Sequence, residues 1–468
     1  MTRLVSIIVV AWLAAPAMAQ PWTAERVADR AVERGASLDV ADAAIDDAEA
    51  SVRAVWAQLL PRVNVGARYT RLKNITNDPL VTGLGGGSEV DALIAGVDDP
   101  EARLLWAGTV TQQRNLGDNS AVPFFPNQYA VEATVQVPLS EIFTTLMPAL
   151  RASRGAVEAR RAERAVTEAA LRLRAHEAFN QYVRARAMVV MTEASLTDAR
   201  EQLASAEAAL EAGVARRSEV LGAQAQVEAA EAARIEATAA RDAAAEGLRA
   251  LLGLPVGEPL SVAEPSEDPP AEHGMTLARA LAVAQSQRPE SVAIRQWRGV
   301  HERRARAAEG SRYPALRLGA GAQLANPNPR YVPQRDRFDT TWDVSVILAW
   351  SPNDTIAGGA NADAARAAAA RMDAELQRFE DGLRAEVAGQ YARDSAAAAR
   401  VAHARALVAA AEEARRLRER EREVGRATTT DVLDAQAVVA RARLALVDAS
   451  AEAQLARARL RHATGTLR

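Results

Sequence analysis

The chain has 468 residues; 49% are hydrophobic but only 4% aromatic, and 108 are alanine. Alanine with leucine, glutamate and arginine suits long, closely packed helices better than a globular core filled by large side chains. A formal net charge of -3, with 57 basic against 60 acidic residues, leaves no basic excess for nucleic acid. Cysteine is absent, so disulfides, thiolate chemistry, cysteine metal sites and lipidation on cysteine are excluded.

In chain order, the first element is a targeting segment. Arg3 supplies a positive start, Leu4 to Leu13 is apolar, and Ala17-Met18-Ala19 gives a small-x-small cleavage pattern. We read residues 1–19 as a secretory signal peptide, leaving Gln20 first. No later stretch reaches the roughly 18 apolar residues of a transmembrane helix.

The rest of the chain reads as two repeats, 20–252 and 276–468, joined by a linker at 253–275. Gly213 to Ala225 reads GVARRSEVLGAQA, and Gly425 to Ala437 reads GRATTTDVLDAQA. Gln181-Tyr182 recurs as Gln390-Tyr391, and Trp22-Thr23 with Pro61 recurs as Met275-Thr276 with Pro314. Preserved order at several points argues for duplication. The linker carries Pro255, Gly257, Pro259, Pro265, Pro269, Pro270 and Gly274, which excludes a helix there.

Each repeat opens with a helical pattern, 23–59 and 276–311, then reaches a proline and changes period from 3.6 to 2. Four strands are predicted around Val63–Tyr69, Tyr129–Leu139, Leu316–Gln323 and Trp342–Trp350. Apolar Trp342, Val344, Val346, Leu348 and Trp350 alternate with Asp343 and Ser345. At about 9 to 11 residues, these strands have the length that crosses a bilayer when tilted. The alternative is a pair of hairpins in a soluble sheet. Four strands cannot close a barrel around a channel, so in lipid the barrel must be shared among subunits. The first hairpin has a long connection, 72–128, with Gly85-Gly86-Gly87 read as an outer loop and a short helix near Asp98 to Ala107.

Each second strand leads into a proline-free helix of about 60 residues, 151–211 and 361–420, about 90 Å long. Return helices at 219–251 and 431–462 cover about 50 Å, and an opening helix stacked on each restores the length of its partner. Glu412, Arg416 and Arg420 are spaced for pairing at i,i+4 on a solvated face.

With this order of elements and the doubled Gly-x5-acid-Val-Leu segment, the chain resembles the outer-membrane efflux proteins of the TolC type over essentially its whole mature length. The resemblance implies a membrane β-barrel plus an all-α coiled-coil tunnel. Each protomer of a homotrimer would give four strands to one twelve-stranded barrel, with long helical hairpins reaching into the periplasm and the linker in the equatorial region. It also implies a passive channel in the cell outer membrane, working with a periplasmic adaptor and an inner-membrane pump in tripartite efflux or type I secretion.

At the tips, the resemblance places Asp431 and Asp434 in acidic rings constricting the periplasmic mouth. Their i,i+3 spacing puts both on one helix face, and threefold symmetry would gather six carboxylates that attract cations. Helix capping is the competing reading for Asp431. Glu219 matches an acid that relatives bond near the second tip. Relatives carry an arginine where this chain has Ala427 and an aromatic where it has Arg422, so Arg422 or Arg426 is the candidate latch partner. Gly213 and Gly425 match turns that adaptors grip.

The five histidines, His176, His273, His301, His403 and His462, are scattered without metal-ligand spacing. No enzyme activity, cofactor or metal site is expected. An exported structural or receptor protein, anchored by a barrel without an export role, is the alternative reading.

Overall fold

The computed structural model describes residues 21–73, 88–118, 125–213, 216–263, 274–424, 426–427 and 429–467. The expected signal peptide, the triple glycine and Gly425 lie outside the described residues. Among the described residues, the first series of elements runs in the order α1 (Ala24–Arg34), α2 (Ala36–Ala57), β1 (Arg62–Arg71), α3 (Ser88–Ala95), α4 (Pro100–Asp118), β2 (Asn127–Pro138), α5 (Met147–Glu211) and α6 (Arg217–Leu252). The second series is α7 (Leu277–Gln287), α8 (Pro289–Glu309), β3 (Ala315–Asn326), β4 (Asp339–Ala349), α9 (Pro352–Glu423) and α10 (Thr429–Ala463). The two series repeat the same plan, apart from α3 and α4.

The opening helices differ from the sequence expectation, because each is broken once. Gly35 leaves the helical region at φ -71°, ψ 104° between α1 and α2. Arg288 is extended at ψ 120°, since the ring of Pro289 disfavours helical geometry in the residue before it. Thr23 and Thr276 cap α1 and α7, each hydroxyl accepting a backbone N–H at 3.3 Å. The helix expected near Asp98 to Ala107 is longer, as α4.

Two compact units divide the chain, and each draws on both repeats. One is helical: Met1–Ser51, Ala152–Glu302 and Arg366–Arg468. In it, α1 and the C-terminal part of α6 meet on α5: Val27, Ala28 and Ala31 cluster with Leu248 and Leu252 against Ala175, Phe179 and Val183. The second repeat does the same with smaller side chains. Ala280 and Ala284 of α7 meet Ala463 of α10 on Leu383 and Val387 of α9. Farther along, Ala397, Val401 and Ala404 of α9 pack on Leu446, Ala453 and Ala456 of α10. Alanine at these contacts lets helix axes approach closely, and it replaces the missing aromatics as the filler of the core.

Ion pairs tie these helices laterally. Arg184 of α5 binds Asp448 and Glu452 of α10 at 2.6 and 3.1 Å, and Arg459 of α10 binds Glu177 of α5 at 3.0 Å. Glu412 pairs with Arg443 on α10 at 2.6 Å rather than with Arg416 as its spacing suggested. Arg416 turns to Glu413. Part of the linker is also structured: Trp22 forms a parallel bridge with Val262, its N–H donating to the Ser261 carbonyl at 2.8 Å.

The second unit, Val52–Arg151 and Arg303–Ala365, holds the sheet. Its strands are antiparallel throughout in the order β1-β2-β3-β4, which leaves β1 and β4 as edges.

Candidate functional site: a two-faced sheet and an acidic helical tip

Because side chains alternate along a strand, register decides which residues share a face. Val65, Ala133, Ala322 and Trp342 form one row across the four strands, and Val63, Val135, Ala320 and Val344 another. Most of these apolar residues are open to the surroundings: Val65 is 74% exposed, Trp342 75% and Val344 63%. Such a face in water would be strongly unfavourable, at about 25 cal/mol per Å² of apolar surface.

The opposite face carries Asn64, Thr134, Gly321 and Asp343 in one row and Gly66, Glu132, Gln323 and Thr341 in the next. Gln323 donates to Glu132 at 2.9 Å, and Arg68 lies 4.0 Å from the same carboxylate. Arg317 makes a two-pronged pair with Glu141 at 2.8 and 2.9 Å. Ala130, Ala325 and Ile347 are apolar members of this face, as are Pro138, Ala315 and Ala349 at its helix end.

At the loop end of the sheet the apolar side bears an aromatic group that sequence reading had not separated out. Tyr69 and Tyr129 lie 5.0 Å apart between ring centres, and Tyr129 and Phe338 lie 6.0 Å apart. The Tyr69 hydroxyl donates to Asn127 at 3.1 Å. At the helix end, Trp350 is 61% exposed and donates its indole N–H to Thr355 at 3.2 Å. Aromatic rings with a polar tip at both ends of an apolar band match the two interfaces of a bilayer.

The expected tip residues that are described, Gly213, Glu219, Arg422, Arg426, Asp431 and Asp434, belong to the helical unit. Gly213 follows the end of α5 with φ +74°, its N–H donating to the Leu210 carbonyl at 2.9 Å. A Cβ there would meet nothing within 4 Å, so the requirement for glycine is conformational rather than steric. A branched residue in that left-handed conformation costs about 1–2 kcal/mol. At the second tip, the Arg426 N–H reaches back to the Glu421 carbonyl at 2.8 Å, satisfying one of the last carbonyls of α9.

Asp431 stands in the first turn of α10, where the helix dipole favours a carboxylate, and both Asp431 and Asp434 are exposed. Glu219 holds the matching first-turn place in α6 and is exposed, as are Arg422 and Arg426. Among the described residues no ion pair joins Glu219 to either arginine within the chain.

Structure adds two acids that spacing could not reveal. Asp198 on α5 has its carboxyl held above the usual range, first by burial and then by Glu201, with Asp434 adding to the effect and Arg441 opposing it. Asp434 therefore belongs to an acidic group spanning α5 and α10. Among the described residues, no cluster of three or more His, Asp or Glu suits a metal ion, and no helix is long and apolar enough to cross a membrane.

The family described as outer membrane efflux protein matches residues 27–254 and 281–466. No curated protein matches the chain. Among solved structures, the Campylobacter jejuni CmeC outer membrane channel is similar at a TM-score of 0.72 and 13% identity, over 95% of this chain and 86% of that one. The outer membrane protein VceC of Vibrio cholerae aligns at 0.69 and 16%, over 94% and 96%. The open state of the Neisseria gonorrhoeae MtrE outer membrane channel aligns at 0.61 and 18%, over 95% and 89%. At these identities the likeness is one of fold, a barrel sheet with a helical tunnel. The family match takes in both repeats and both tips, and the chain belongs to the outer membrane efflux protein family.

Proposed function

We propose that the protein is the outer-membrane channel of a tripartite efflux or type I secretion system, a homotrimer that passively conducts substrates from an inner-membrane pump and periplasmic adaptor to the exterior. The observation that carries this reading is the sheet. Its apolar face is exposed, its other face is polar, and both edge strands are open. Lipid satisfies the first property, an aqueous lumen the second, and neighbouring copies the third. Three copies of four strands make twelve.

The helical tip then faces the periplasm. Asp431 and Asp434 from three chains form the constriction, with Asp198 and Glu201 extending the negative charge along α5. Gly213 and Gly425 shape the turns that the adaptor grips. Glu219 with Arg422 or Arg426 serves as the latch of the closed mouth.

Conductance in planar bilayers tests the constriction. The parent channel should prefer cations and be blocked by a trivalent cation, and Asp431→Ala with Asp434→Ala should weaken both properties. Unchanged selectivity and block in the double variant would reduce Asp431 to a helix-capping residue and remove the acidic gate. For the latch, Glu219→Ala and Arg426→Ala should each raise resting conductance, with little further gain together.

A further inference from the structure

The β3–β4 connection, residues 327–338, does not simply project from the sheet. Pro327 and Asn328 are buried although they belong to a loop, Asn328 to 1% exposure. The Asn328 amide donates to the Asp339 carbonyl at 2.9 Å and lies 3.3 Å from the Thr341 hydroxyl. Its side-chain oxygen accepts from the Arg330 backbone N–H at 3.0 Å. One side chain thus fixes the turn on β4.

Arg330 then reaches deeper, pairing through its guanidinium with Asp343 at 2.6 Å. Thr341 and Asp343 are successive residues of the polar face. Ala325, at the loop end of that face on β3, is only 2% exposed. Gly321 is the register partner of Asp343, and a Cβ on it would come within 3.0 Å of the Asp343 carboxylate. The glycine leaves the space in which that carboxylate lies. At the far end of the connection, Arg337 is anchored to Asp339 at 2.9 Å.

We infer that residues 327–337 form a strap across the polar face at the loop end of the sheet, latched by Arg330 and Asp343, and that Arg330 sets the width and charge of the outer mouth of the pore. This rests on the reading of the polar face as the lumen of a shared barrel. Three chains bring three straps and three guanidinium groups to one opening. Arg330 and Asp343 are 44% and 45% exposed, so the latch is weak and reversible. An exposed pair shifts an open–closed equilibrium by about two- to fivefold per chain. A bulky solute leaving the barrel displaces the strap, while a small ion passes beside it. A free Asp343 in the open state exchanges a paired charge for a negative lumen wall.

The absence of cysteine makes the test clean, because an introduced thiol is the sole target. Full-length protein carrying Arg330→Cys or Val344→Cys would be reconstituted in planar bilayers and exposed to a bulky water-soluble thiol reagent from the loop side. Modification of Arg330→Cys should lower the current in discrete steps. Separately, Asp343→Asn and Arg330→Gln should each raise the occupancy of the higher-conductance level about two- to fivefold. The exchange Arg330→Asp with Asp343→Arg should restore the parent pattern. Modification of Arg330→Cys confirmed by mass but silent in the current, or parental occupancy in both single variants, would overturn the strap while leaving the barrel intact. Reaction of Val344→Cys with the water-soluble reagent at the rate of Arg330→Cys would instead overturn the barrel reading, and the strap with it.

Discussion

Two histidines in the helical unit show how single side chains tie stability to pH. Burial holds the His176 imidazole below its ordinary value of 6.5, against the pull of Glu25 3.7 Å away. His462 is also lowered, by burial first and then by Arg288, whose guanidinium donates to the His462 carbonyl and lies 3.2 Å from its ring nitrogen. Both rings are therefore harder to protonate in the fold than in the unfolded chain, which takes up their protons near pH 6.5. Stability is fully present above that value and falls as pH drops toward the depressed folded values. The thermal midpoint should be lower at pH 5.5 than at pH 7.5, and His176→Gln with His462→Gln should shrink the difference. An undiminished difference in the double variant would assign the pH dependence to carboxylates. The role of these histidines was not legible in the sequence, because the groups that bury them come from α1, α8 and other distant elements. Gly213 was legible, since a repeated glycine where two helical patterns meet has one economical explanation. The Asp198 environment was not, because it depends on α5 lying beside α10.

Helices and strands were readable wherever one periodicity ran uninterrupted. The alternation of Trp342, Val344, Val346 and Leu348 with Asp343 and Ser345 gives β4, and its register across β3 follows from which face is apolar. Alanine-rich stretches free of proline give α5 and α9, the latter 72 residues and about 110 Å long. The breaks at Gly35 and Pro289 were missed because a helical pattern resumes in phase on the far side of each. Lateral pairing between helices was also hidden, as Glu412 shows. Asp394 of α9 sharpens the point: it is 2% exposed and binds Arg457 of α10 at 2.8 Å, across residues 63 apart in sequence. Removing one member of a buried pair leaves an uncompensated charge and costs about 3–5 kcal/mol. Arg457 keeps 21% of its side chain exposed, so Asp394→Ala should cost less than that full penalty, about 1.5–3 kcal/mol in denaturant unfolding. Glu412→Ala, which breaks the exposed pair with Arg443, should cost under about 1 kcal/mol. Equal losses from the two would mean that burial does not set the strength of these ties.

For the whole molecule, the decisive property is that one chain cannot satisfy its own sheet. Among the described residues, an apolar face without cover and two edges without partners call for lipid and for further copies of the same strands. Duplication supplies the rest of the logic: each repeat contributes two strands to the sheet and one long helix with its return to the helical unit, so the proposed trimer would present six such units around its axis. In the trimer we propose, acids at the second tip and arginines on the polar face would have symmetry-related companions, and their charges would act as rings rather than as isolated surface groups. The measurement that tests this most directly is the mass of the complex extracted from outer membranes in mild detergent, with the detergent contribution subtracted. Our account predicts three protein chains per particle, resistant to dissociation. A stable, folded monomer whose β1 and β4 edges exchange backbone amide protons freely would contradict it.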